Sequence, residues 1–133
     1  MDNEYLNWLE FAKTDLGVAN HLNDKYYPRP LAIICYHCQQ AAEKAIKALI
    51  IYSGAKGGVP QKHNLSFLLD QMKNMYDIPE KYYDYADTLT PYGIAVRYPN
   101  ELPIDDRHVK EAIRYSAEII DWIEMIVKQS SDQ

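Results

Sequence analysis

The chain has 133 residues, about one domain, and that is long enough to bury a single core without disulfide or metal staples. Hydrophobic residues make up 47% and charged residues 25%, and no apolar run approaches the ~18 residues of a membrane span. The formal net charge of −5 argues against indiscriminate nucleic-acid binding, which needs a basic surface.

That charge is uneven. Residues 25–69 sum to +5, with Lys25, Arg29, Lys44, Lys47, Lys56 and Lys62 against Glu43 alone; residues 1–24 sum to −4 and residues 70–133 to −6. A basic middle between acidic ends reads either as an anion site or as an internal match between neighbouring helices. The opening MDNEYLNWLE is acidic and reads as a helix start rather than a signal peptide. A reducing cytoplasm is the default compartment for two cysteines with no evident pairing.

Asn3 to about Asn23 forms the first predicted helix. Tyr5, Leu9, Ala12, Leu16, Ala19 and Leu22 recur there at helical spacing, with Trp8 at the edge. The YYPRP turn follows. Leu31 to Ser53 holds no Gly or Pro, is preceded by Pro28 and Pro30, and exits at Gly54. It predicts one helix of about 23 residues, roughly 34 Å long at ~1.5 Å per residue. Its apolar face is wide, and Gln40, Glu43 and Lys47 stack on one side at i, i+3 and i+7. That pattern suits the central helix of a bundle.

Residues 54–62, GAKGGVPQK, read as a connector. They lack the spacing of a phosphate loop. Asn64 is placed to cap a third helix, Leu65 to about Tyr76, with Leu65, Leu68, Leu69 and Met72 inward. In Glu80–Arg97, Pro91 must start a new helix or kink one. Tyr98-Pro99 ends the segment, because the residue before a proline avoids the helical region. Asp105 or Asp106 caps a last helix to about Gln129, with a stripe of Val109, Ala112, Ile113, Ser116, Ile120, Ile123 and Val127. No strand alternation or repeat is present. The predicted fold is all-α: an up-and-down four-helix bundle with an additional short helix, in one domain over residues 1–133.

Cys35-Tyr36-His37-Cys38 is short of a zinc site, which needs four well-disposed ligands, and no strand precedes it as in a redox helix. Core packing is the expectation for both cysteines. No metal or cofactor is expected. His21 falls on a helix surface. The twelve tyrosines suit amphipathic packing or an interface.

In this order the chain resembles the HEPN domains, small helical proteins of bacteria and archaea. The resemblance runs through WLEFAKTDLGVANHL (Trp8 to Leu22) and YHCQQAAEKAIKALI (Tyr36 to Ile50). It continues through His63-Asn64-Leu65 with Leu68-Leu69, and Arg97-Tyr98-Pro99 before a last amphipathic helix. It implies a four-helix bundle with one extra short helix, usually dimeric. It also implies frequent company with a minimal nucleotidyltransferase, in some members as a toxin–antitoxin pair. The ribonuclease branch carries R-x(4–6)-H. Here Arg97 is followed by Tyr98-Pro99, and the next histidine, His108, comes after ten intervening residues. That departure favours binding over cleavage.

The residues that would carry binding are Gln40, Glu43, Lys47, His63, Arg97 and Tyr98. Arg offers phosphate a planar fork, Lys a point charge, and Tyr98 or Tyr92 a stacking face. The structural alternative is an i, i+4 pair between Glu43 and Lys47, or a tie from Glu43 to Arg97. No residue is assigned a catalytic role. Arg97, His108 and His63 are the weak candidates for an endoribonuclease toxin, and a helical dimeric scaffold without ligand is the third possibility. The expected partners are a second copy, a nucleotidyltransferase protein and a nucleotide or RNA, with no membrane.

Overall fold

The structure is a computed structural model that describes residues 3–54, 59, 63–94, 96–97 and 103–131. Five α-helices follow in order: α1 Glu4–Lys25, α2 Leu31–Tyr52, α3 Leu65–Asp70, α4 Glu80–Leu89 and α5 Asp106–Ser131. A 3-10 segment, Thr90–Ile94, continues directly from α4. There is no strand among the described residues, and none of their helices is long and apolar enough to cross a membrane.

Helix α2 is the axis of the bundle. It packs along α1 and α5 and also touches α3, α4 and the 3-10 segment. Its apolar face is fully buried from Ile34 through Cys38, Ala42, Ile46 and Leu49. Leu9, Ala12 and Ala19 of α1 close one side; Val109, Ala112, Ile119, Ile120 and Ile123 of α5 close the other. Alanines at 12, 19, 41, 42, 45 and 48 let the backbones of α1 and α2 approach closely, and each is completely buried.

The ends follow local chemistry. Asn64 Oδ1 accepts the Phe67 N–H at 3.0 Å and caps α3. Asp105 Oδ1 accepts the Arg107 and His108 N–H groups at 3.0 and 3.3 Å and caps α5. Gly54 leaves α2 at φ 67°, a conformation that glycine takes without a Cβ penalty. Pro91 neither continues α4 nor starts an α-helix: it is the second residue of the 3-10 segment, where its missing N–H costs nothing. Helix α3 stops at Asp70, short of Tyr76. Beyond it, Gln71, Met72 and Lys73 donate to the carbonyls three residues back, so the coil tightens into successive turns while Met72 stays buried.

Charge is matched between helices. On the α1–α2 face, Lys44 Nζ lies 2.6 Å from Asp15 Oδ2 and His37 Nδ1 lies 3.1 Å from Asp15 Oδ1. Lys13 of α1 pairs with Glu124 of α5 at 2.6 Å. Of the basic middle, Lys44 thus answers an acid of α1 and Arg29, 2.7 Å from Asp106, an acid of α5, Lys47 pairs within α2, and residues 56 and 62 lie outside the described residues.

Candidate functional site

Glu43 sits two turns from the end of α2, only 4% exposed, and three donors meet it. Gln39 Nε2 and His63 Nδ1 lie 3.0 Å from its Oε1, and Lys47 Nζ lies 3.0 Å from its Oε2. Burial pushes the Glu43 carboxyl up. The hydrogen bonds from Gln39, Lys47 and His63, with the Lys47 charge, outweigh that and hold it below its ordinary value. The group is therefore an anion at neutral pH and can only accept.

That fixes the polarity of its neighbours. Gln39, fully buried, must turn its NH₂ to Glu43, which leaves its Oε1 to accept from Gln40 Nε2 at 2.8 Å. His63 must present N–H at Nδ1. Gly93 holds the arrangement from the other side: a Cβ there would stand 3.1–3.3 Å from the Gln39 carboxamide.

Above these groups opens a cavity of about 570 Å³ between α2, the start of α3 and the 3-10 segment. Gln39, Gln40, Glu43, His63 and Arg97 all line it, with Tyr36 and an apolar wall of Pro91, Ile94 and Val96. Its size suits a small ligand. Four of the six residues singled out from sequence thus border one space. Lys47 borders it only through Glu43. Its ammonium lies under the α1 helix, 5.8 Å from the Trp8 ring centroid, so it serves as a partner to the carboxylate. Tyr98 lies outside the described residues, and Tyr92, the other proposed stacking face, is buried with 5% exposure. Glu43 does not tie down Arg97. Among the described residues Arg97 is exposed, and its guanidinium has no acid partner.

His108 is elsewhere. Its Nδ1 accepts the Asp105 N–H at 3.0 Å while Asp105 caps its own N–H, so the pair closes the first turn of α5. Burial drives both cysteine thiols up to about 12, which makes them inert core groups. Sequence reasoning passed over Gln39. Its signal was present: an uncharged polar residue at i−4 from Glu43 on a face that is otherwise apolar.

The HEPN domain profile matches residues 5–126. The chain belongs to the HEPN domain family. Three crystal structures share its fold. The TT1696 protein of Thermus thermophilus is 29% identical, with a TM-score of 0.79 over 93% of this chain and 98% of its own. An HEPN domain protein of Thermotoga maritima is 25% identical, with a TM-score of 0.70 over 92% and 98%. An archaeal HEPN homologue, 23% identical with a TM-score of 0.74 over 96% and 99%, shows the fold alone. No curated protein matches the chain.

Proposed function

We propose that this HEPN domain binds the phosphate of a nucleotide or RNA in the cleft beside α2, without cleaving it. One observation carries the reading. Among the described residues, the one carboxylate that lines the cavity is already met by three donors, while Arg97 on the same wall has no acid to neutralise it. Local charge is Glu43 and Lys47 in balance, with Arg97 left over. A guanidinium is the side chain best shaped to grip phosphate through two parallel hydrogen bonds. Pro91, Ile94 and Val96 offer the apolar wall a base or ribose needs.

The same reading has the protein act as a homodimer beside a minimal nucleotidyltransferase, as a toxin–antitoxin-like pair in the cytoplasm. Support for self-association comes from the outer face of α1. Phe11 is 61% exposed there and Val18 follows at i+7, beside a groove of about 440 Å³ lined by Asn7, Trp8, Phe11 and Lys44. Large exposed aromatics beside such a groove favour a protein contact. Sedimentation at micromolar concentration should return about twice the chain mass, and a monomer there would remove the dimer.

Calorimetry with adenosine monophosphate and a short RNA tests the phosphate site. Arg97→Ala should abolish binding and leave the melting temperature almost unchanged, because that side chain is exposed. Arg97→Lys should bind only in part. Unfolding of Arg97→Ala, together with no nucleotide binding by the parent, would show the cluster to be structural. A second reading, RNA cleavage using Arg97 with a histidine, now rests on His63, since Glu43 orients its ring within the cavity. RNA cut by the parent and left intact by His63→Ala would put that reading first.

A further inference from the structure

The Glu43 carboxylate decides which face His63 shows to a ligand. Because Glu43 can only accept, the proton of a neutral His63 resides on Nδ1, 3.0 Å from Oε1. Its Nε2 then carries a lone pair. His63 lines the cavity and its side chain is 76% exposed, so this lone pair is available to whatever enters. A phosphate oxygen is also an acceptor and is repelled by it. Once Nε2 gains a proton, the same nitrogen becomes a charged donor opposite an anion.

The ionisable groups facing His63 among the described residues are few. Glu43 comes from α2, with Lys47 on the same carboxylate; Tyr36, also of α2, and Arg97, after the 3-10 segment, stand on the cavity wall. The charge Glu43 offers is shared among Gln39, Lys47 and His63, and Lys47 already balances it. A protonated His63 therefore adds to Arg97, and the cavity would then hold two positive charges. Two positive charges on one ligand suit a phosphate monoester, which is a dianion above about pH 6.5. A phosphodiester inside an RNA chain carries only one.

We infer that the cleft selects a terminal phosphate monoester, held between Arg97 and a His63 that takes up a proton on Nε2 as the ligand binds. The inference rests on the phosphate-binding reading given above. Above about pH 6.5 the phosphate is already a dianion, so the proton taken up as it binds goes to His63. A free mononucleotide and the phosphorylated end of an RNA present the same group.

The test is calorimetry of the full chain with adenosine monophosphate at pH 7.5, in two buffers of different ionisation enthalpy, which counts protons taken up. The parent should take up a measurable fraction of one proton, and its Kd should rise between about pH 6.5 and 8, by at most ~10-fold per pH unit for one linked proton. His63→Gln, at an exposed position, should fold, bind more weakly, take up no proton and show a flat Kd between pH 6.5 and 8. Adenylyl adenosine, which has the diester and no terminal phosphate, should bind at least ~10-fold more weakly than adenosine monophosphate. A tetranucleotide with and without a 5′-phosphate separates the two sources. A phosphate-dependent gain over the mononucleotide supports an RNA end, and the reverse order supports the free nucleotide. Binding with no proton uptake, uptake unchanged in His63→Gln, or a diester bound as tightly as the monoester overturns the inference and leaves the phosphate site standing. Failure of every nucleotide to bind overturns both.

Discussion

Replacing Glu43 by alanine should cost this protein a large part of its stability. The substitution strands two groups at once. Lys47, 8% exposed, loses its counter-ion, and the fully buried Gln39 amide loses its acceptor. An orphaned buried charge costs about 3–5 kcal/mol and an unsatisfied buried amide about 1–3 kcal/mol. Lys47 is near enough to the surface to reach water past Trp8, which recovers part of the first cost. The expected loss is about 3 kcal/mol, against a total of about 5–15 kcal/mol for a typical domain. At a urea m-value of about 2 kcal/mol/M the midpoint should fall by about 1.5 M. Glu43→Gln should fall between parent and alanine variant, because a carboxamide must turn its NH₂ toward either Lys47 or the Gln39–His63 side. Pairing Glu43→Leu with Lys47→Met removes the stranded charge and should restore at least half of the loss. Urea denaturation followed by circular dichroism measures all four chains. A loss below about 1 kcal/mol in Glu43→Ala would refute the claim that this carboxylate satisfies the buried Lys47 and Gln39.

Gly93→Ala brings a Cβ against the Gln39 carboxamide, which is bonded at both ends and cannot step aside, so we expect a loss of about 1–2 kcal/mol by thermal melting. Acid should act through Glu43. Its folded value is depressed, so the stability it contributes is present above the ordinary value of 4.5 and is lost as pH falls through the folded one; a pH series of urea midpoints should drop below pH 4.5. Alkali should act through Cys35 and Cys38. Their folded values are raised from 9.0 to about 12, so stability is complete below pH 9 and declines as pH rises toward 12. At neutral pH neither thiol should react with a disulfide reagent until the protein is unfolded by urea.

The long helices were readable because burial and periodicity agree in them. The α5 stripe of Val109, Ala112, Ser116, Ile120, Ile123 and Val127 is buried as its spacing requires, while Ile113, read as part of it, is only partly buried. The end of α3 was less readable, since Met72 continues the apolar pattern whether the backbone coils as an α-helix or as tighter turns. Pro91 signalled a break, but a proline is equally compatible with a 3-10 start and an α start, and its own residue type does not separate them. In the cleft, Gln40 and Glu43 could be named because polar residues on a buried helix stand out, and His63 and Arg97 because they fall in the His63-Asn64-Leu65 and Arg97-Tyr98-Pro99 segments that carry the resemblance. How they meet could not. Glu43 was equally free to choose Arg97 or Lys47, and the choice depends on how the 3-10 segment Thr90–Ile94 packs on α2. Gln39 escaped notice because its role is fixed by three-dimensional hydrogen-bond polarity, to which a sequence pattern is blind.

The most direct test of the account is a nitrogen–proton NMR titration of the parent and Arg97→Ala with adenosine monophosphate. The account predicts shifts in the parent at residues 36–43, 63–64 and 90–97, together with the Arg97 side-chain NH, and none of comparable size in the variant. Shifts confined to the groove of Asn7, Trp8, Phe11 and Lys44, or a parent spectrum unchanged at millimolar nucleotide, would contradict a phosphate site beside α2.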